Sequence, residues 1–167
     1  CTLEANPGSS DHAKFVGYRA AGINRLSIGV QSFSDTALQQ LGRTHTRSDA
    51  SDAIQAARRA GFSNINLDLM HGLPGQTPDS AIADLHYAAQ FAPEHLSWYQ
   101  LTIEPNTVFY STKPKLPVES FLQAITDQGL DWLQRQGFAR YEISAFAQGD
   151  ALQSKHNLTY WRFGDYL

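Results

Sequence analysis

The chain has 167 residues, a formal net charge of −3 and a single cysteine; this fits one domain and excludes an internal disulfide. No run of Lys and Arg forms a basic stripe, so no nucleic-acid partner is expected, and no apolar stretch is long enough to make the chain transmembrane. With no signal-like N-terminus either, a cytoplasmic setting is the default expectation.

Strand-like and helix-like segments alternate from the first residue onward. "CTLEA" reads as a strand and Asn6-Pro7-Gly8 as a turn. Ser9 or Ser10 then caps a helix from about Asp11 to Ala21, closed by Gly22. "RLSIGV" is the second strand, and "SDTALQQLG" a short helix with Ser34 as its cap and Gly42 past its end. "SDASDAIQAARRAG" places Ala53, Ile54, Ala57 and Ala60 on one helical stripe. "NINLDLM" is the third strand, followed by a helix capped by Thr77 with Pro78 at its first position. "HLSWYQLTI" is the fourth strand. A long helix over Val118–Gln136 sets Phe121, Leu122, Ile125 and Leu133 on one face, and "RYEISAF" is the fifth strand.

One joint occurs three times. "AGINRLSIG", "AGFSNINLD" and "QGFARYEIS" each end a helix at Gly, place Ile or Phe next, and enter a strand. Gly supplies the left-handed cap and the following apolar residue packs back on the helix. Repeated βα units of this kind make parallel sheets with right-handed crossovers. The expected fold class is therefore α/β, an open sheet or a partial barrel. The ends read as cut edges: there is no initiator Met, and "FGDYL" closes the chain on aromatic residues.

Ligands of such folds bind beyond the carboxyl ends of the strands. The polar residues expected there are Glu4 and Asn6, Gln31, Asp68, Gln100 and Glu104, and Glu142 and Ser144. As a set they suit a polar ligand better than a packed core; singly, each also reads as a turn cap. Arg43, after a helix end, either grips a carboxylate or complements the helix dipole. "GLPGQT" offers backbone N–H groups to an anion, or simply needs its glycines to turn.

Together, "TLEANPG", "GINRLSIGVQSF", "LGRTH", "NLDLMHGLPGQT" and "LSWYQLTIEPNT" resemble the radical S-adenosylmethionine (SAM) proteins of the oxygen-independent coproporphyrinogen III oxidase group. The resemblance implies a partial (β/α)6, TIM-like barrel with parallel strands that binds a [4Fe–4S] cluster and SAM. It also implies that Glu4, Gln31, Arg43 and Asp68 contact SAM: Glu4 at the amino group, Arg43 at the carboxylate, Gln31 and Asp68 at ribose hydroxyls. Residues 1–150 would be the partial barrel and residues 151–167 the start of a C-terminal region. The N-terminal strands, the glycine-rich segment that meets SAM, and most of the C-terminal domain would lie outside this chain. So would the C-x3-C-x2-C loop that holds the cluster, since Cys1 alone cannot do so.

The group has two branches. One oxidatively decarboxylates coproporphyrinogen III. The other consists of heme chaperones, which bind heme and pass it to acceptor proteins, and carries an H-N-x-x-Y-W motif. Here that pattern is His156, Asn157, Tyr160 and Trp161, so the resemblance favours the chaperone branch, with heme as ligand and an unspecified acceptor protein. His156 is the candidate iron ligand, against a plain loop-fixing role. His45, His71, His86 and His95 compete with it; His71 is expected on the rim beside Asp68, facing the ligand. The exposed edge of the first strand is expected to favour aggregation or a homodimer.

Overall fold

The structure, a computed structural model, describes residues 1–9 and 12–164. Ser10 and Asp11, expected at the start of the first helix, lie outside the described residues, as do residues 165–167 of the aromatic tail. The elements in order are β1 (Thr2–Ala5), α1 (His12–Ala20), β2 (Arg25–Gln31), α2 (Asp35–Gln40), α3 (Arg47–Arg59), β3 (Ile65–His71), α4 (Pro78–Ala89), β4 (His95–Gln100), α5 (Val108–Thr112), α6 (Glu119–Arg135), β5 (Ala139–Glu142), β6 (Ala145–Ala147) and α7 (Lys155–Trp161).

The three repeated joints fold alike. Gly22, Gly61 and Gly137 take positive φ angles of 92°, 88° and 81°. In each, the N–H of the next residue bonds six-to-one back into the helix: Ile23 to Tyr18 O, Phe62 to Ala57 O, Phe138 to Leu133 O, at 3.0–3.1 Å. This is the Schellman arrangement. Gly42 forms a fourth copy, with Arg43 N–H reaching Leu38 O at 2.9 Å. Arg43 therefore sits where the apolar residue sits in the other three, and its side chain turns to the sheet. Helix starts also match the capping residues: Ser34 and Thr77 cap α2 and α4, with Pro78 in the first turn.

Six strands form one sheet in the order β1-β2-β3-β4-β6-β5. The first four pair in parallel, and the sheet does not close on itself. The expected fifth strand is not one parallel strand. It breaks at Ile143 and Ser144 into a tight hairpin, and β6 pairs antiparallel with both β4 and β5. Arg140 makes the reversal possible by donating to the turn carbonyls of Glu142 and Ile143 at 3.3 and 2.7 Å. The chain consequently returns to the end where the strands begin: Ala147 pairs with His95, and Gln148 N–H bonds Glu94 O at 3.1 Å. Helix α7 is thus delivered to that end.

Strand side chains alternate between two environments. Leu26, Ile28 and Val30, then Ile65, Leu67 and Leu69, then Leu96 and Trp98 are buried against the helices. α6 packs closest. A Cβ on Gly129 would lie 1.9 Å from the Trp98 ring, so only glycine lets helix and strand meet there. Ile125, Trp132 and Leu133 are buried beside it. Phe121, expected in this stripe, is instead 44% exposed, because it lies in the first turn of α6, beyond the sheet.

Candidate functional site

The opposite parity builds the site. Thr2 and Glu4, Arg25, Ser27 and Gln31, Asn66 and Asp68, His95, Ser97 and Tyr99 all line one cavity of about 1430 Å³ on the inner face. Single-ligand pockets usually fall between about 300 and 1,000 Å³, so this space exceeds what one small ligand needs. Arg43 and Asn6 join it from the loops, and Ser154, Lys155, His156 and Asn157 from the start of α7.

The structure therefore brings together six of the eight residues that the family resemblance assigned to SAM or to the H-N-x-x-Y-W motif: Glu4, Gln31, Arg43, Asp68, His156 and Asn157. Tyr160 and Trp161 do not line the cavity; they lie further along α7, 64% and 57% exposed, with Tyr160 edge-on to His156 at 5.7 Å. Several rim expectations are corrected. Gln100 and Glu104 are exposed and lie away from the cavity, as do Glu142 and Ser144 on the β5–β6 hairpin. His71 faces the helices, not the ligand side, because it is three residues from Asp68 and so has the other parity. It is buried, packs on Trp98 at 4.1 Å, and its Nδ1 has no partner among the described residues. Burial pushes its pKa down to about 4. In "GLPGQT" the backbone N–H groups are spent internally: Leu73 on Gln76 Oε1, Gln76 on Leu73 O, Gly75 on Lys115 O. That loop is a turn, not an anion site.

At the strand-end rim, Gln31 stands in a bulge with φ 69°, a left-handed backbone that non-glycine residues rarely adopt. Three contacts hold it. His45 Nε2 donates to Val30 O at 3.0 Å. Asp84, buried in α4, accepts from Ser32 Oγ at 2.7 Å and from Phe33 N–H at 2.9 Å. Burial raises the Asp84 pKa, and those two hydrogen bonds oppose the rise. Tyr99 O–H then donates to Gln31 Oε1 at 2.7 Å, fixing the carboxamide. Across the rim, Arg43 Nη1 lies 3.5 Å from Asn6 Oδ1.

Asp68 sits mid-strand at one end of a hydrogen-bonded line. Its two oxygens accept from Ser27 Oγ at 3.0 Å and Asn66 Nδ2 at 2.8 Å. Since a carboxylate only accepts, Asn66 must turn its Nδ2 to Asp68 and its Oδ1 away. That Oδ1 lies 2.6 Å from His95 Nδ1 and 3.2 Å from Ser97 Oγ. The His95 proton is thereby placed on Nδ1, and Nε2, 2.6 Å from Tyr141, accepts the phenol proton. Burial first, and the charge of Arg25 second, lower the His95 pKa to about 3, so the ring is neutral near pH 7. Tyr141 O in turn accepts from Ser154 N–H at 3.0 Å and Asn157 Nδ2 at 3.4 Å. The line runs from the start of α7 to Asp68, every donor pointing toward the carboxylate.

Reasoning from sequence missed Arg25, Ser27, Asn66, Ser97, Tyr99 and Tyr141, and weighed His95 only as a rival iron ligand. For all of these but Tyr141 the signal was present: they share the parity of Asp68 or Gln31 within strands whose other parity is apolar except at the last residues, His71 and Gln100. Tyr141 had no such signal, since it reaches the site only through the hairpin.

An open, mostly parallel α/β sheet with a polar inner face is the architecture of a partial barrel. Residues 1–88 match the model of the Radical SAM superfamily, and the chain belongs to that superfamily. It is 52% identical over 166 residues to the heme chaperone HemW of Haemophilus influenzae, covering 99% of this chain and 43% of that protein. Against heme chaperone HemW of Escherichia coli K12 the identity is 51%, with 99% and 44% covered. Among solved structures it resembles coproporphyrinogen III oxidase (HemN) from Escherichia coli, a radical SAM enzyme, with a TM-score of 0.81 at 27% identity over 96% of this chain and 37% of that one. The chain spans less than half the length of the curated relatives it matches.

Membership in the superfamily implies SAM and a [4Fe–4S] cluster. The residues present suit the first: carboxylates and a carboxamide that accept from hydroxyl and amino groups, and a guanidinium that takes a carboxylate. They do not suit the second. The one cysteine is exposed Cys1, and no group of three or more His, Cys, Asp and Glu among the described residues is placed to hold a metal. No helix among the described residues is long and apolar enough to cross a membrane.

Proposed function

We propose that the chain is the barrel segment of a radical SAM heme chaperone, which binds heme and passes it to an acceptor protein. The observation that carries this reading is the single inner cavity shared by Glu4, Gln31, Arg43 and Asp68 with His156 and Asn157. In this reading SAM lies toward the strand ends. Glu4 takes its amino group, Arg43 its carboxylate, and Gln31 and Asp68 the ribose hydroxyls. Heme lies at the other end, with His156 at the iron, Asn157 fixing the helix start, and exposed Tyr160 and Trp161 against the ring. The names of the relatives at 51% and 52% identity support the chaperone reading. The likeness to coproporphyrinogen III oxidase supports a second one, oxidative decarboxylation of a porphyrinogen, at the lower identity of 27%.

Titration of the full-length protein with heme, alongside a turnover assay with coproporphyrinogen III, separates the two. Stoichiometric heme uptake without decarboxylation is expected; turnover would establish the second reading. Glu4→Ala with Asp68→Ala is expected to weaken SAM binding at least tenfold, a loss of about 1.4 kcal/mol or more, and His156→Ala to change the heme spectrum. Unchanged SAM affinity and an unchanged spectrum would remove these assignments.

A further inference from the structure

Arg25 opens β2 on the inner face, at the end of the cavity where α7 lies. It is only 9% exposed, yet its Nε has no hydrogen-bond partner among the described residues. Nearby groups are already engaged. Asp68 accepts from Ser27 and Asn66, and Tyr141 O from Ser154 and Asn157. Both stand close enough to act on the guanidinium electrostatically, and burial outweighs them, lowering its pKa. A buried guanidinium costs stability unless an anion completes its hydrogen bonds. Lys155, on the same cavity wall beside His156, adds a second cation there.

We propose that Arg25 is a carboxylate-binding residue, and that its ligand is a propionate of the porphyrin held by the His156 segment. This rests on the heme reading above. A guanidinium presents parallel N–H donors that match a carboxylate two-to-two. Heme is a flat apolar ring with two carboxylates along one edge. Exposed Tyr160 and Trp161 suit the ring, whereas the polar cavity floor does not; the carboxylate edge suits the floor. The binding pose is then ordered: iron at His156, ring along α7, propionates directed inward to Arg25 and Lys155.

The test uses the full-length protein, titrated with heme and with heme dimethyl ester, whose carboxylates are masked. Wild type is expected to prefer heme by about tenfold or more, the size of a charge-assisted pair. Arg25→Gln should abolish that preference by weakening heme alone. Arg25→Lys, which keeps the charge but not the paired donors, should reduce it several-fold, and serves on its own if the Gln variant does not fold. A preference equal in wild type and the Lys variant overturns the proposal. So does a loss of thermal stability in either variant with the preference intact, which would assign Arg25 to an acidic group elsewhere in the longer protein. A wild type that binds neither compound fails the heme reading itself; one that binds both equally fails only the propionate.

Discussion

The two faces of the sheet are made from the same strands, one residue apart. On the helix side, β2, β3 and β4 present Leu26, Ile28, Val30, Ile65, Leu67, Leu69, Leu96 and Trp98, all buried. On the inner side they present Arg25, Ser27, Gln31, Asn66, Asp68, His95, Ser97 and Tyr99, each facing the cavity. Stability resides on the first face, where apolar area leaves water at roughly 25 cal/mol per Å². The proposed function assigns recognition to the second, where that benefit has been given up for hydrogen bonds that mostly satisfy one another. A change on one face should therefore show in unfolding, and a change on the other in binding.

The largest effect is expected where the helix face is tightest. Gly129→Val in the full-length protein would drive a branched side chain into the Trp98 ring, whose nearest atom lies 1.9 Å from where the first added carbon would stand. The expected cost is about 3 kcal/mol or failure to fold, as overpacking of a rigid contact requires. Denaturant unfolding measures it. SAM affinity of whatever fraction folds should stay near wild type, and a protein as stable as wild type would show that α6 does not press on β4.

A smaller effect, about 2 kcal/mol, is expected from pH, and it marks the helix face through His71. The folded pKa of His71 is lowered to about 4 from the ordinary 6.5 by burial. Between those values the unfolded chain binds the extra proton and the folded chain does not. Stability is then lost as pH falls from about 6.5 toward 4, by about 2 kcal/mol between pH 7 and pH 5. His95, lowered to about 3, acts with the same sign. His71→Phe keeps an aromatic ring on Trp98 and removes the titration, so its urea-unfolding curve should lose less stability on acidification. Equal acid sensitivity in the variant would place the titrating group elsewhere.

Much of this architecture is legible in the amino-acid sequence. The glycine joints at Gly22, Gly61 and Gly137 are local hydrogen-bonding units, and local units show in sequence. So do Asp68 and Glu4, because carboxylates stand out in apolar strands. The hairpin inside "YEISAF" is not legible, since Arg140 bonding to the carbonyls of Glu142 and Ile143 leaves no periodic trace. Without the hairpin the position of α7 does not follow, nor does the link from Asn157 through Tyr141 to His95. His71 misleads for a simpler reason: nearness to Asp68 in sequence is not the same face of a strand.

The smallest effect is the sharpest, because it divides the inner face itself. Two phenols hydrogen-bond to its residues with separate tasks. Tyr99 donates to Gln31 at 2.7 Å, and Tyr141 joins His95 to Ser154 and Asn157. Replacing either with Phe removes one oxygen and keeps the ring. Tyr141→Phe leaves His95 Nε2 and Ser154 N–H unpaired and frees the start of α7, so heme affinity should fall about fivefold, the worth of about 1 kcal/mol. SAM affinity should change less than twofold, because Asp68 keeps Ser27 and Asn66. Tyr99→Phe should do the reverse. If each variant weakened both ligands equally, the cavity would be one site rather than two, and the line of donors from α7 to Asp68 would be carrying binding energy from end to end.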